Sequence, residues 1–187
     1  MNSGKEICPL GASFYDRPAK AVAVDLLGKE ILRRYEALSV KAIIIDVEAY
    51  GPKEEDPAAA GKGMRALRDW PSGLAWTTYF MVGRPTLEIT TKGPSSVLVR
   101  GIYLELPEGK YKTVRGPVNA ASALNLSGYG PRMLNKVSLA GPALSIRQNP
   151  GIVVSEVESS HRINLLQDTE ENRRFSVNLK DLQILRR

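Results

Sequence analysis

Apolar residues near the N-terminus recur at helical spacing. They are Ala19, Val22, Ala23, Leu26 and Leu27. Because residues three and four positions apart share one face of a helix, these side chains would form a continuous apolar stripe. Pro18 suits the first helical position, and Gly28 suits a helix end. The pattern therefore predicts one short amphipathic helix at the start of the fold.

Most of the remaining apolar positions fall in short runs that are rich in β-branched residues and separated by glycine and proline, as is typical of strands. The predicted strands cover residues 30–35, 40–48, 74–82, 86–91, 96–106, 143–147, 152–154 and 174–179. The second strand contains consecutive apolar residues at 42–45, which indicates burial on both faces. A second helix is predicted over residues 118–126, with Pro117 at its start.

The order of these elements decides the fold class. Strands and helices do not alternate regularly, so we expect an α+β fold with a mostly antiparallel, curved sheet and flanking helices. The 187 residues fit one hydrophobic core, which predicts a single domain over residues 1–187. Residues 53–71 are polar and small, so we expect a long connection or a short irregular helix there, in a kind of segment that often carries function.

The chain carries a formal net charge of +6 at pH 7, which favours polyanionic partners such as DNA. Many basic proteins bind no nucleic acid, so the charge permits this interpretation without requiring it. Cys8 is the one cysteine, which excludes an intrachain disulfide and a Cys-rich metal site. His161 is the one histidine, which excludes multi-histidine zinc sites and leaves a Ser-His-Asp triad only if that residue serves it. Catalysis would therefore rest on carboxylates or hydroxyls, and we expect no metal and no organic cofactor.

No apolar run approaches the roughly 18 residues of a membrane span, and the N-terminus shows no apolar signal segment. We therefore expect a cytoplasmic protein without a membrane partner. We also expect the protein to fold alone and to be a monomer.

Glu48 is the strongest candidate for a catalytic residue. The apolar run before it would carry it from the core to a sheet edge, just before the turn at Gly51-Pro52. Ile44, Asp46 and Glu48 share one face in the alternation of the strand. Two carboxylates on one face would crowd each other and raise one pKa, as a general base requires. The alternative is that Glu48 is only a solvated charge at a turn.

Several segments together resemble one protein family. Asp46-Val47-Glu48-Ala49-Tyr50-Gly51-Pro52 resembles the glutamate-alanine-tyrosine signature of the 3-methyladenine (alkyladenine) DNA glycosylases. Further matches follow in the family's order: Phe14-Tyr15-Asp16-Arg17-Pro18, Leu26-Leu27-Gly28-Lys29-Glu30-Ile31-Leu32, Asp56-Pro57-Ala58, Gly73-Leu74-Ala75-Trp76, Val97-Leu98-Val99-Arg100 and Arg115-Gly116-Pro117. The resemblance covers roughly residues 12–150. Each match alone is weak, but the ordered series is fairly specific.

The resemblance implies the fold of that family and a monofunctional DNA repair glycosylase, which flips a damaged purine out of the duplex and hydrolyses its N-glycosidic bond. Glu48 would deprotonate the attacking water, and Tyr50 would stack on the flipped base. An alkylated purine already carries positive charge and leaves easily, whereas a deaminated purine such as hypoxanthine also needs a proton donor. The expected partner is double-stranded DNA that contains damaged purines, and the expected location is the cytoplasm, at the nucleoid.

Other positions match family residues at the DNA surface. Met81, or Val82 in a shifted alignment, corresponds to the side chain that fills the gap left by the flipped base. Arg100 and Arg115 correspond to arginines near the phosphates. Taken alone, the first two are equally compatible with the apolar end of a core strand, and the arginines with solvated surface charges.

The chain departs from the family at the base pocket. Ala58-Ala59-Ala60 stands where the family has a histidine, and only Trp76 or Tyr79 can supply a second stacking face. Glu88 falls where the family has an asparagine, and its carboxylate would accept a hydrogen bond from an exocyclic amine or favour a cationic base. Two alternatives therefore stay open: a catalytically weak relative that only binds damaged or bent DNA, and a basic domain of other function on the same fold.

Overall fold

Strands make up most of the regular structure in the computed structural model, which describes residues 7–62, 70–76, 79–80, 84–126, 136–165 and 168–185, except the side chains of 60–62 and 79–80. The strands are β1 (Glu30–Tyr35), β2 (Leu38–Tyr50), β3 (Leu74–Trp76), β4 (Tyr79–Phe80), β5 (Arg84–Pro85), β6 (Leu87–Thr90), β7 (Ser96–Glu105), β8 (Tyr111–Arg115), β9 (Val137–Ser138), β10 (Leu144–Arg147), β11 (Ile152–Val154), β12 (Glu158–Ser160), β13 (Arg174–Ser176) and β14 (Leu182–Ile184). The α-helices are α1 (Ala12–Tyr15), α2 (Ala19–Leu26) and α3 (Pro117–Ala123), and 3₁₀ turns cover Pro57–Lys62, Pro107–Gly109 and Leu179–Asp181. None of the helices in these ranges is long and apolar enough to cross a membrane.

β2 and β7 form the centre of the main sheet. They pair antiparallel from Ala42 opposite Leu104 to Tyr50 opposite Ser96, with a shift of register around Asp46. On its other side β2 pairs first with β1 and then, at residues 46–48, with β13. β7 likewise pairs first with β6 and then with β8. The strand pairs in the described part of the chain are antiparallel, which confirms the predicted α+β class.

One face of this sheet forms the hydrophobic core. Directly opposed residues of neighbouring strands point to the same face, and four such residues lie in a row across β3, β6, β7 and β2: Ala75, Ile89, Val97 and Ala49. All four are fully buried, and the apolar sides of α2 and α3 pack into the same cluster. The burial of each large aliphatic side chain there contributes about 1.5 to 3 kcal/mol to folding.

The opposite face of the same strands carries larger and charged side chains. Five residues are opposed in turn across β3, β6, β7, β2 and β13: Trp76, Glu88, Leu98, Glu48 and Arg174. A second, smaller apolar cluster on this side contains Tyr50, Ala59, Trp76 and Leu98. The alternation of side chains along the strands therefore separates the core from a face where buried charges are concentrated.

Most predicted elements are present with changed ends. β1 has the predicted bounds, whereas β2 is longer than predicted at both ends because its last residues continue to pair with β7. Pro18 is the N-cap of α2 rather than its first residue. α3 begins at Pro117, as predicted, but ends at Ala123. Within the predicted strand at 74–82 the structure describes β3 and β4, which belong to different sheets. The predicted strand at 174–179 ends at Ser176, because Leu179–Asp181 forms a 3₁₀ turn.

The sequence pattern does not predict α1, β5, β8, β9, β12 or β14. These elements are short, and β8 contains only half-buried and exposed residues, so it lacks a clear apolar face. Of the two predictions for residues 53–71, the short irregular helix is present as the 3₁₀ turn Pro57–Lys62.

Candidate active site

Glu48 lies in the interior of the sheet. Its neighbours in register are Leu98 on β7 and Arg174 on β13, and it is 0 % exposed. The prediction that Glu48 lies at a sheet edge before a turn is therefore wrong, because β2 continues to Tyr50 and β13 pairs with this part of it. The alternative of a solvated turn charge is excluded for the same reason.

Three donors from three parts of the chain hold the Glu48 carboxylate. Oε1 accepts hydrogen bonds from Arg100 Nη1 at 2.8 Å and from the backbone N–H of Ile163 at 3.0 Å. Oε2 accepts one from the Tyr50 hydroxyl at 2.8 Å. Hydrogen bonds to a charged group are stronger than neutral ones, so these contacts stabilise a negative charge and fix the orientation of the carboxylate.

Asp46 pairs with a different arginine, Arg174. Its two oxygens accept hydrogen bonds from Arg174, from Nε at 3.0 Å and from Nη2 at 2.8 Å, and this contact raises the pKa of Arg174. Gly101 permits the arrangement, because a β-carbon there would lie 2.9 Å from that of Asp46. Asp46 and Glu48 are thus held by different guanidinium groups, instead of crowding each other as the alternation of the strand predicts.

Tyr50 connects Glu48 to an aromatic surface. Its ring is buried in the small apolar cluster with Ala59, Trp76 and Leu98. Burial raises the pKa of Tyr50, and the neighbouring Glu48 carboxylate raises it further. The hydroxyl therefore stays protonated and remains a hydrogen-bond donor to Glu48.

Glu88 and Trp76 lie beside each other on the face that carries Glu48. They are directly opposed in the ladder between β3 and β6. Glu88 is fully buried, and its Oε2 accepts a hydrogen bond from Ser96 Oγ at 2.7 Å. The Trp76 ring meets the ring of Trp70 edge-on, with centroids 6.2 Å apart. The structure thus brings five of the predicted site residues to one face of the sheet: Glu48, Tyr50, Trp76, Glu88 and Arg100.

The other predicted residues are Arg115, Tyr79, Met81 and Val82. Arg115 is exposed at the end of β8, opposite Gly101. The backbone of Tyr79 pairs with Pro85, but its side chain lies outside the described residues, as do Met81 and Val82. Their roles at the base and at the DNA surface stay predictions.

A buried ionic cluster beside Glu48 is not apparent in the sequence. The Arg162 side chain forms two hydrogen bonds of 2.7 Å with Asp56 and one of 2.9 Å with Asp168; we call these three residues the Arg162 cluster. No apolar periodicity marks the segment around Arg162, and Asp56 lies 106 positions away along the chain. The one available signal was the place of Asp56 in a segment that matches the glycosylase family.

The charges of the Arg162 cluster stabilise one another. Burial alone would raise the pKa of Asp56 and of Asp168, but hydrogen bonds from Arg162 and from backbone N–H groups hold both pKa values below the usual range. Burial would likewise lower the pKa of Arg162, but the two carboxylates raise it. All three residues are therefore ionised at neutral pH.

A cavity of about 620 Å³ lies next to this region, lined in part by Lys20, Gly51, Pro52, Lys92 and Arg173. Glu48 and Tyr50 are not among its lining residues. Both are almost completely buried, so these two side chains are closed to solvent in this structure.

The chain matches one protein family along most of its length. The model of the family described as methylpurine-DNA glycosylase matches residues 13–181. The chain belongs to the methylpurine-DNA glycosylase family. This confirms the resemblance that the sequence motifs indicate, and it extends the match past residue 150 to Arg162, Asp168 and β13.

Individual relatives agree with membership of the methylpurine-DNA glycosylase family. A protein of Pseudomonas fluorescens (strain Pf0-1) is 30 % identical over 166 residues, which cover 86 % of this chain and 70 % of the relative. One of Anaeromyxobacter sp. (strain Fw109-5) is 34 % identical over 147 residues, 75 % of this chain and 73 % of the relative. One of Chlorobaculum parvum is 29 % identical over 182 residues, 86 % of this chain and 83 % of the relative. All three carry 3-methyladenine DNA glycosylase in their names.

Proposed function

We propose that this chain is a monofunctional DNA repair glycosylase, which flips alkylated purines out of duplex DNA and hydrolyses the N-glycosidic bond with Glu48 as general base. The observation that carries the proposal is the setting of Glu48. It is a fully buried carboxylate, held by Arg100 and by the Ile163 N–H, and its second oxygen meets the hydroxyl of an aromatic residue, Tyr50. Membership of the family supports DNA as the substrate, and the names of the relatives support 3-methyladenine as one lesion.

The proposed reaction requires few protein groups other than Glu48 and its hydrogen-bond partners. The bond between C1′ of the deoxyribose and the purine nitrogen breaks, and its electron pair stays with the base. An alkylated purine is positively charged, so it leaves as a neutral base without a proton donor. The oxygen of a water bonds to C1′, and the water's proton passes to Glu48. Such general-base catalysis typically supplies a factor of about 100 to 10,000.

Arg100 serves this reaction through its contact with Glu48. A guanidinium at 2.8 Å holds the carboxylate in one orientation. The negative charge also stabilises the cationic sugar that develops as the base leaves. The Arg100 side chain is 14 % exposed, so a DNA phosphate that approaches this face meets part of the same guanidinium.

The base pocket in this proposal is formed by the face around Tyr50. Tyr50 stacks on the flipped base, and Trp76 or Tyr79 supplies the second aromatic surface. Glu88, buried beside Trp76, attracts a cationic base or accepts a hydrogen bond from an exocyclic amine. Ala59 contributes only a methyl group beside Tyr50, which leaves more room than the histidine of the family would.

The DNA surface is proposed to combine charge with an apolar wedge. Met81 or Val82 fills the gap that the flipped nucleotide leaves, and Arg115, exposed at the end of β8, contacts phosphate. The protein would act as a monomer in the cytoplasm, at the nucleoid. Because phosphate contacts release counterions, its DNA affinity should fall as the salt concentration rises. A titration in which affinity is the same at low and at physiological salt would contradict duplex DNA as the natural ligand.

The closed state of the site favours one alternative function. Glu48 and Tyr50 are almost completely buried and both carboxylate oxygens already accept hydrogen bonds, as expected for a relative that binds damaged or bent DNA without excising a base. Catalysis, in contrast, requires that the group around Glu48 opens when DNA binds. Release of a free base distinguishes the two functions.

The decisive experiment is base release from a panel of duplexes that carry 3-methyladenine, 7-methylguanine, hypoxanthine or normal purines. The proposal expects release of the alkylated purines, with an abasic but unbroken strand as the product. Binding to every damaged duplex without release of a base would support the alternative. Equal treatment of damaged and normal duplexes would contradict both.

A further inference from the structure

All hydrogen-bond donors of the Arg162 guanidinium are occupied by neighbouring groups. Each of its five N–H groups has an acceptor: Nε donates to Asp168, Nη1 donates to Asp56 and to the carbonyl of Ala49, and Nη2 donates to both carboxylates. The side chain is 0 % exposed. Arg162 therefore offers no N–H to DNA or to a base, and any influence on a reaction must pass through another residue.

One connection from Arg162 leads to Tyr50. The guanidinium carbon lies 4.6 Å from the centroid of the Tyr50 ring, over its face. Nη1 donates to the Ala49 carbonyl at 3.0 Å, just before Tyr50, and Asp56 accepts the N–H of Gly51 at 3.0 Å, just after it. The Arg162 cluster thus fixes the backbone on both sides of Tyr50 and occupies one face of its ring, so that a base can stack only on the opposite face.

A second connection leads to Glu48. The backbone N–H of Arg162 donates to Asp168 at 3.0 Å, which fixes the chain directly before Ile163. The N–H of Ile163 is the one that donates to Glu48 Oε1. Two hydrogen bonds of the Glu48 carboxylate, from Tyr50 and from Ile163, therefore originate in segments that the Arg162 cluster holds.

We propose that Arg162 is a positioning residue for the glycosylase reaction, which sets the ring of Tyr50 and the N–H of Ile163 on Glu48 at the same time. This inference rests on the proposed function of Glu48. A buried ion pair is often no more stabilising than apolar residues of the same volume, so stability alone is a poor reason for a largely buried ionic cluster at this place.

The geometry of arginine is what this role requires. Its planar fork binds Asp56 with two hydrogen bonds while its guanidinium carbon lies over the Tyr50 ring, 4.6 Å from the centroid. Lysine keeps the charge but has three donors at one point and no flat face. Arg162→Lys should therefore leave the charge balanced and misplace Tyr50 and Ile163 slightly.

The test compares Arg162→Lys with Arg147→Lys under single-turnover conditions, with the intact protein and an alkylated duplex. Arg147 is half-buried and pairs with Glu30 near the opposite edge of the sheet, so its variant controls for the loss of an ion pair. A misplacement of about 1 Å can cost about 100-fold in rate, and we expect a loss of that order for Arg162→Lys only. The pH–rate profile of Arg162→Lys should also differ from that of the wild type, because a hydrogen-bond donor to the proposed general base is misplaced.

Loss of stability is measured for both variants by urea unfolding. If Arg162→Lys excises at the wild-type rate with the wild-type pH profile, or if Arg147→Lys loses as much rate at equal stability, the positioning role is contradicted. Should Arg162→Lys not fold, Asp168→Asn replaces it, because Asp168 is only partly buried and contacts the side chain and the N–H of Arg162. That variant should lose rate in the same direction by a smaller factor, and an unchanged rate and pH profile would count against the inference.

A measurement without DNA separates this inference from the proposed function. In ¹⁵N-labelled protein, the amide signal of Ile163 should shift and exchange its proton faster in Arg162→Lys, and it should not change in Arg147→Lys. An unchanged Ile163 amide contradicts the inference whatever the activity. If the wild type excises no base at all, the proposed function fails, and the amide alone decides whether Arg162 positions the donors of Glu48.

Discussion

The two faces of the central strands are held in place by different forces. On β6, Leu87 points into the apolar core, whereas the adjacent Glu88 is equally buried but hydrogen-bonded to Ser96. On β2, Val47 and Ala49 belong to the core, and Glu48 between them is held by charged and polar donors. Alternation along one strand thus gives two environments only one residue apart.

This difference determines what a mutation does on each face. An apolar side chain of the core can be shortened at the cost of a cavity, and the surrounding side chains partly relax. Truncating one member of a buried ion pair on the opposite face costs more, because its partner then remains buried without compensation. We therefore expect core changes to lower stability and leave the chemistry intact, and changes on the charged face to alter the chemistry as well.

The largest loss of stability is expected on the charged face, for Asp56→Ala. This change removes one of the two carboxylates that Arg162 binds, and it also removes the acceptor of the Gly51 N–H. Breaking a buried pair in this way typically costs about 3 to 5 kcal/mol, measured as the free energy of unfolding in urea. Glu105→Ala removes the partly exposed pair with Lys41 and is the matched control, with an expected cost of about 1 kcal/mol or less. Equal costs for the two variants would show that the Arg162 cluster does not hold this face.

The penalty of Asp56→Ala should also depend on pH. The pKa of Asp56 is lowered in the folded state from the ordinary value of 3.8, so its contribution to stability is fully present above that value. The contribution is lost as the pH falls through the lower, folded-state pKa. The difference in unfolding free energy between wild type and Asp56→Ala should therefore shrink in acid, and a difference that stays constant from pH 7 to pH 3 would contradict a charged Asp56.

On the core face, Leu87→Ala should destabilise by about 2 to 5 kcal/mol, because it leaves a cavity among fully buried side chains. Its effect on excision is expected to be absent at temperatures where the variant is folded, since Leu87 points away from Glu48. Single-turnover excision and urea unfolding on the same preparation check this. A loss of rate in fully folded Leu87→Ala would show that the two faces are not independent.

The smallest change in stability is expected for Glu88→Gln, because glutamine keeps the shape of the side chain and an oxygen that accepts the hydrogen bond from Ser96. What should change is selectivity, because the charge that attracts a cationic purine is removed. We expect slower excision of 7-methylguanine relative to hypoxanthine, measured as a ratio of single-turnover rates. An unchanged ratio would mean that Glu88 does not contact the base.

The sequence allowed most of the core face to be predicted, and less of the charged face. Strand alternation and helical spacing identify β1, β2 and α2 because apolar periodicity is a local property of the chain. Glu48 was proposed from its place after an apolar strand as well as from resemblance to a family motif, and Tyr50 was proposed from the resemblance alone. The pairing of Arg100 with Glu48 joins residues 52 positions apart, and no periodicity encodes such a contact. The Arg162 cluster was not predicted for the same reason. Glu48 was expected at a sheet edge because the sequence does not show that β13 pairs with β2.

The role of Glu48 as general base is tested most directly by single-turnover excision of an alkylated purine by Glu48→Gln. Glutamine fits the same contacts: its carbonyl oxygen accepts from Arg100 and the Ile163 N–H, and its amide donates to the Tyr50 oxygen. The fold should therefore be kept while proton acceptance is lost, and the rate should fall by about 100- to 10,000-fold. Affinity for the duplex should hold or rise slightly, because a negative charge near phosphate is removed. Comparable rates for Glu48→Gln and wild type would contradict Glu48 as the general base, and lost DNA binding would show that Glu48 has a structural role instead.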